Sequence, residues 1–198
     1  MPTGSPEVSF SRTGLYRYSL SSDSLGVPGE AAMDYYQGVV TEYLRADRSI
    51  FVNTECCIQL NKAENPDTSG PHWYCDAVAV DFRNEMVFLC EVSFAKGLGA
   101  LLKRLAAWNT HWTGVRAAIV RDCSVPDQWE VRPWLFIPES YVPKAVTGIA
   151  RLGDHDDPER LMPDPKITTL ELVTPWSYCS WNRHGECPKP ATIPDSMR

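Results

Sequence analysis

The spacing of apolar and polar positions changes period several times along the chain, and each change predicts an element. Between Pro28 and about Asp47, Ala32, Tyr35, Val39 and Glu42 recur at spacings of three and four, which predicts a helix carrying them on one stripe. Pro28 and Gly29 precede it, and Glu30 and Asp34 fall in its early turns, where negative charge complements the helix dipole. Glu42 is the anomaly, a carboxylate in line with a stripe expected to be buried; it either serves a site or reaches water from the stripe's edge. Ser49–Leu60 then alternates as a strand, and Asn61–His72 reads as a loop from its Asn, Pro, Asp, Ser and Gly. Trp73–Phe82 and Met86–Ser93 are two further strands, separated by Arg83, Asn84 and Glu85.

Gly97–Trp112 gives the clearest helical period, with Leu98, Leu101, Leu102, Leu105, Trp108 and Trp112 on one face and Lys103 almost opposite. Val115–Val120 reads as a short buried strand. Val131–Ile137 reads as another, which Pro133 assigns to a sheet edge or a late start. A short helix near Glu139–Val146 and an extended piece at Lys166–Val173 follow. The order is helix, strand, strand, strand, helix, strand, strand, which predicts an α/β (α+β) domain with a mixed sheet flanked by helices. No repeat or linker divides two cores. Residues 1–28, rich in Ser, Gly and Pro, read as a flexible arm with a short strand around Gly14–Leu20; 29–187 form a single domain and 188–198 a loose tail.

Composition narrows the class. The 198 residues, 43% apolar and 22% charged, suit one globular domain. No apolar run approaches the roughly 20 residues that span a bilayer, and the N-terminus lacks the basic-then-apolar pattern of a secretory signal. A cytoplasmic protein is therefore expected, and its seven cysteines are expected to be reduced and structural. The net charge of −6 argues against a broadly positive surface, while leaving room for a local basic rim.

The chemistry is expected at the hairpin of the second and third strands. If its loop has an even number of residues, Asp76 stands opposite Glu91, with Cβ atoms roughly 5 Å apart on one face; Ser93 projects to the face of Glu91. Two carboxylates so close repel each other and resist desolvation. A hard cation, Mg²⁺ or Mn²⁺, would offset that repulsion and equip the site for phosphodiester hydrolysis. Otherwise Asp76 hydrogen-bonds in the loop and Glu91 pairs with Lys96 or Arg104. Asp81 faces away from Asp76 and reads as a turn-flanking residue.

These residues resemble the PD-(D/E)XK nuclease superfamily over roughly Gly29–Pro138. Gly38-Val-Val-Thr-Glu42 resembles the family's first motif, Asp76 its central Asp, and Glu91-Val92-Ser93 its (D/E)XK tripeptide. The resemblance implies a restriction-endonuclease-like αβββαβ core. It also implies Mg²⁺-dependent cleavage of nucleic acid, DNA more than RNA, with Glu42, Asp76 and Glu91 as metal ligands. One departure is explicit: Ser93 stands where the tripeptide has Lys. Lys96 could reach back to position the attacking water; Lys103 or Arg104 could substitute, although a guanidinium is no base near neutral pH; or catalysis is lost and the fold persists as a module binding protein partners. A homodimer or larger complex would supply the DNA affinity that an acidic monomer lacks.

Secondary candidates lie nearby and in the tail. His72, before Asp76, could approach a substrate phosphate, as could Arg104. Trp176, Tyr178 and Trp181, close to Arg183, suit base stacking beside a cation, or equally a protein anchor. Cys179, His184 and Cys187 have metal-ligand character but no standard zinc spacing, and read more simply as loop residues.

Overall fold

The computed structural model describes residues 28–61, 70–94, 97–152 and 162–182. Helix α1 (Pro28–Leu44) leads into β1 (Ile50–Gln59), β2 (His72–Asp81) and β3 (Met86–Val92). Helices α2 (Gly99–Thr110) and α3 (Trp112–Cys123) then cross to β4 (Glu130–Ile137), followed by α4 (Val142–Ala150) and β5 (Lys166–Thr169). Single 3-10 turns cover Glu139–Tyr141 and Leu170–Val173.

The five strands form one sheet in the order β1-β2-β3-β4-β5. The first three make an antiparallel meander, and β4 and β5 add in parallel. The parallel β3–β4 step needs a crossover, which α2 and α3 provide. Alternate strand residues divide the core into two layers. Val87, Leu89, Val131, Leu135 and Ile137 face α2, α3 and α4 through Leu105, Trp108, Val115 and Ile149. Ala79, Phe88, Cys90, Trp134 and Phe136 face α1 through Val40 and Leu44. Burying each large apolar side chain contributes about 1.5–3 kcal/mol, so the sheet is clamped from both sides.

The sequence expectations change in four places. The continuous helix predicted for Gly97–Trp112 stops at Thr110 and restarts at Trp112. The strand predicted at Val115–Val120 is the body of that second helix: Val115, Ala118 and Ile119 are buried at spacings of three and four from Trp112, and a short apolar run carries either period. Pro133 lies in an inner strand rather than at an edge. It is accommodated because β5 pairs with β4 only from Trp134 onward, so no ladder rung is needed on that side. In α1 the buried positions are Val40 and Leu44, while Tyr35 is exposed, so the stripe is one residue out of phase with the predicted one.

The cysteine expectation also needs correcting. Cys56, Cys57, Cys75, Cys90 and Cys123 are free thiols, but Cys179 is disulfide-bonded. The strand predicted around Gly14–Leu20 and the tail from residue 183 lie outside the described residues. Among the described residues no helix is long and apolar enough to cross a membrane.

Candidate metal centre

The sheet opens where the buried Glu91 comes near the half-buried Asp76. β2 and β3 pair from Asp81 opposite Met86 to Ala77 opposite Cys90, and the ladder ends there. The turn between them, residues 82–85, has even length, but the Asp76–Glu91 rung that would come next is not formed: Cys75 packs on the α2 side and Ala77 on the α1 side, so the alternation of β2 slips at Asp76. In place of a backbone rung, the Asp76 side chain fills the seam. The Val92 N–H donates to its Oδ2 at 2.7 Å, and the Gln37 amide of α1 donates to its Oδ1 at 2.8 Å. On the other side of β2 the pairing also breaks: Thr54–Ala77 and Cys56–Cys75 are partners, whereas Glu55, opposite Asp76, has φ 54°. Leu98, at the entry to α2, has φ 50°. A left-handed backbone at a bulky residue costs about 1–2 kcal/mol, and such strain gathers at functional sites.

Glu91 lies on the α2 side of β3 and is only 3% exposed. Its Oε2 is paired with the guanidinium of Arg104, which reaches over from α2 and also donates to the Tyr74 carbonyl at 3.2 Å. Its Oε1 is buried and meets no hydrogen-bond donor. Burial, and next the negative charge of Asp76, push the Glu91 carboxyl up to about 8, against the pull of Arg104. Burial also raises the Asp76 carboxyl, outweighing the Val92 N–H, Arg104 and Gln37. Two carboxyl groups therefore share one guanidinium, and Glu91 keeps its proton up to about pH 8 because a second negative charge there would go uncompensated.

That donor set fits a hard divalent cation. Mg²⁺ retains several waters and needs one or two carboxylates, and the orphaned Oε1 of Glu91 is an oxygen without an assignment. Among the described residues no group of three or more His, Cys, Asp or Glu side chains is placed to hold a metal, so Asp76 and Glu91 would be the acidic ligands, completed by water and neutral oxygens.

The remaining predicted residues are distributed unevenly. Glu42 is not at the seam: its side chain is 65% exposed and pairs with Arg45 at 3.5 Å. Five residues after Gln37 on a helix, it is turned by about 140° from it. Gln37 is the residue that sequence reading missed, and a polar side chain three and seven residues before the buried Val40 and Leu44 was the available signal. Ser93 is buried at the end of β3, its N–H donating to the Phe136 carbonyl at 3.0 Å. Lys103 is exposed, and Lys96 lies outside the described residues. Arg104 is at the centre of the site as an ion-pair partner. Asp81 accepts hydrogen bonds from the N–H groups of Arg83 and Asn84 and from the Asn84 amide, and so closes the turn.

His72 opens β2, with Nδ1 3.0 Å from the Gly70 carbonyl and its ring edge-on to Tyr74. Trp181 sits at the far end of α1: its Nε1–H donates to the Arg45 carbonyl at 3.1 Å, and Arg48 lies 5.1 Å from its ring. Arg45 is eight residues from Gln37, about 12 Å along the helix, so this aromatic surface is separate from the seam. Arg183, His184 and Cys187 lie outside the described residues. Compared with family models, curated proteins and solved structures, the chain matches none of them.

Proposed function

We propose that the chain is a divalent-cation-dependent phosphodiesterase with a restriction-endonuclease-like core, acting on DNA. The observation carrying this reading is the buried, unpartnered Oε1 of Glu91 beside the Asp76 carboxylate. The element order supports it: a meander of three strands, a helical crossover and a parallel fourth strand, with α1 on the opposite face, is what the αβββαβ resemblance implies.

Asp76 and Glu91 hold the cation in this reading. Gln37 and the Val92 N–H fix the Asp76 oxygens, and Arg104 fixes Glu91 while offsetting part of its charge. A bound Mg²⁺ or Mn²⁺ supplies Lewis acidity toward a phosphoryl oxygen and a more acidic water. The lysine role of the tripeptide passes to Lys96, three residues beyond Ser93. Arg104 cannot take it, because a guanidinium stays protonated near neutral pH. The second reading, a module that binds cation and partner protein without cutting, is favoured by Ser93 at the tripeptide's third position and by Arg104 already occupying one Glu91 oxygen.

Incubation with supercoiled and single-stranded DNA in Mn²⁺, alongside calorimetric Mn²⁺ titration, separates the two. Wild type is expected to cut and to bind Mn²⁺, Glu91→Gln to do neither, and Lys96→Ala to bind Mn²⁺ without cutting. Mn²⁺ binding without cleavage by wild type selects the binding module. Absence of both in a folded wild-type protein refutes the site.

A further inference from the structure

β1 and β2 bring two free thiols face to face next to the strand break. Cys56 and Cys75 are register partners in the antiparallel pair. Such partners have Cα atoms about 4.5–5.5 Å apart, inside the roughly 4.4–6.8 Å that a disulfide spans. Both side chains lie on the same face of the sheet: Cys75 is within the core under α2 and α3, and Cys56 packs against that core. The neighbouring Cys75 thiol pulls the Cys56 thiol below its ordinary value, and the two S–H groups are otherwise held by backbone, Cys56 by the Asn53 carbonyl at 3.4 Å and Cys75 by the Ala77 carbonyl at 3.6 Å.

The two thiols differ in access. Cys75 is 2% exposed, whereas Cys56 lines an open hollow of about 830 Å³ between β1 and α3, bounded by Phe51, Val80, Phe82, Ile119 and Cys123. One sulfur is thus reachable by a small solute, and the second waits behind it, shielded from direct attack. This is the arrangement of an attacking and a resolving cysteine.

We infer that Cys56 and Cys75 form a peroxide-reactive pair that closes into a cross-strand disulfide. The Cys56 thiolate attacks one oxygen of a hydroperoxide, breaking the O–O bond; the sulfur is oxidised to sulfenic acid and the leaving oxygen departs as hydroxide or alkoxide, which takes a proton from water. The Cys75 thiol then displaces the sulfenic hydroxyl, forming the S–S bond and releasing water. The inference stands independently of the cation site, although Cys75 directly precedes Asp76.

Peptide mapping tests it on the intact chain. After brief exposure of the folded protein to hydrogen peroxide and alkylation of remaining thiols, tryptic residues 49–62, carrying Cys56 and Cys57, are expected joined to residues 63–83, carrying Cys75. The joined peptide should be lighter by two hydrogens than its reduced parts, with loss of two free thiols. Cys57→Ser should preserve the joined peptide and Cys56→Ser should abolish it. The inference is overturned if Cys75 stays alkylatable while Cys56 advances to sulfinic acid, if Cys56 joins Cys57 or Cys123 instead, or if all the thiols resist peroxide.

Discussion

Glu91 makes the stability of the cation-free protein depend on pH in a direction opposite to that of an ordinary paired carboxylate. Its folded-state carboxyl is raised to about 8 from an ordinary value of 4.5. A raised acid binds its proton more tightly in the folded chain, so its stabilising effect is complete below the unfolded value and is lost as pH rises through the folded one. The window runs from about pH 4.5 to 8. Each pH unit within it corresponds to a factor of ten in the folding equilibrium, so stability should fall by about 3 kcal/mol between pH 5 and 7. The raised Asp76 carboxyl adds a contribution of the same sign at the acid end. The assay is urea unfolding in EDTA at several pH values. Wild type should lose stability across the window and Glu91→Gln, which cannot ionise, should lose much less. Saturating Mn²⁺ should abolish the wild-type decline, and Mn²⁺ affinity should rise roughly tenfold per pH unit over the same range, since binding displaces the proton. A wild-type midpoint that is flat or rising from pH 5 to 7 would show that Glu91 is solvated, and would refute the argument from a buried unpaired oxygen.

Four further variants probe the same contacts. Arg104→Met leaves Glu91 buried without its counter-charge and should cost about 3–5 kcal/mol when the carboxylate is ionised, but much less at pH 5; urea midpoints at pH 5 and 8.5 check the difference. Gln37→Ala removes the amide from Asp76 Oδ1 and should cost about 1–2 kcal/mol, measured by thermal unfolding; Gln37→Glu should instead tighten Mn²⁺ binding by adding a third carboxylate. Asp81→Ala strips the donors of the 82–85 turn of their acceptor and should destabilise by about 1–3 kcal/mol, without altering Mn²⁺ affinity measured by calorimetry.

The hairpin was legible in the sequence because side-chain direction alternates strictly with residue number. That parity holds from Ala77 opposite Cys90 to Asp81 opposite Met86 and stops there. At Asp76 the alternation slips, and its carboxylate turns to the Val92 N–H and to Gln37 of α1 instead of forming the next rung, which the pattern of residues could not foretell. The first helix was harder to phase. Tyr35, Val39 and Val40 are all apolar, and two adjacent valines permit two stripes a residue apart. The sheet selects the one that buries Val40 and Leu44, which sends Glu42 outward and turns Gln37 inward. Local pattern could not decide between them, because the choice depends on packing against β3 and β4. The same limit applies to Val115–Val120, where six residues with five apolar ones fit a strand until Trp112 is counted into the period. The role of Arg104 was equally hidden: its position on the flank of α2 was readable, but not that it would lie over the end of β3.

The Asp76 carboxylate has a second duty that any loss-of-function experiment must respect. It receives the Val92 N–H where the two strands separate, acting as a stitch that keeps the mouth of the sheet from fraying. An alanine at this position would leave that amide without an acceptor, and a dead variant could then be a damaged one. Asparagine retains a carbonyl oxygen for Val92 while giving up the negative charge, so Asp76→Asn separates the mechanical contribution of this residue from its chemical one.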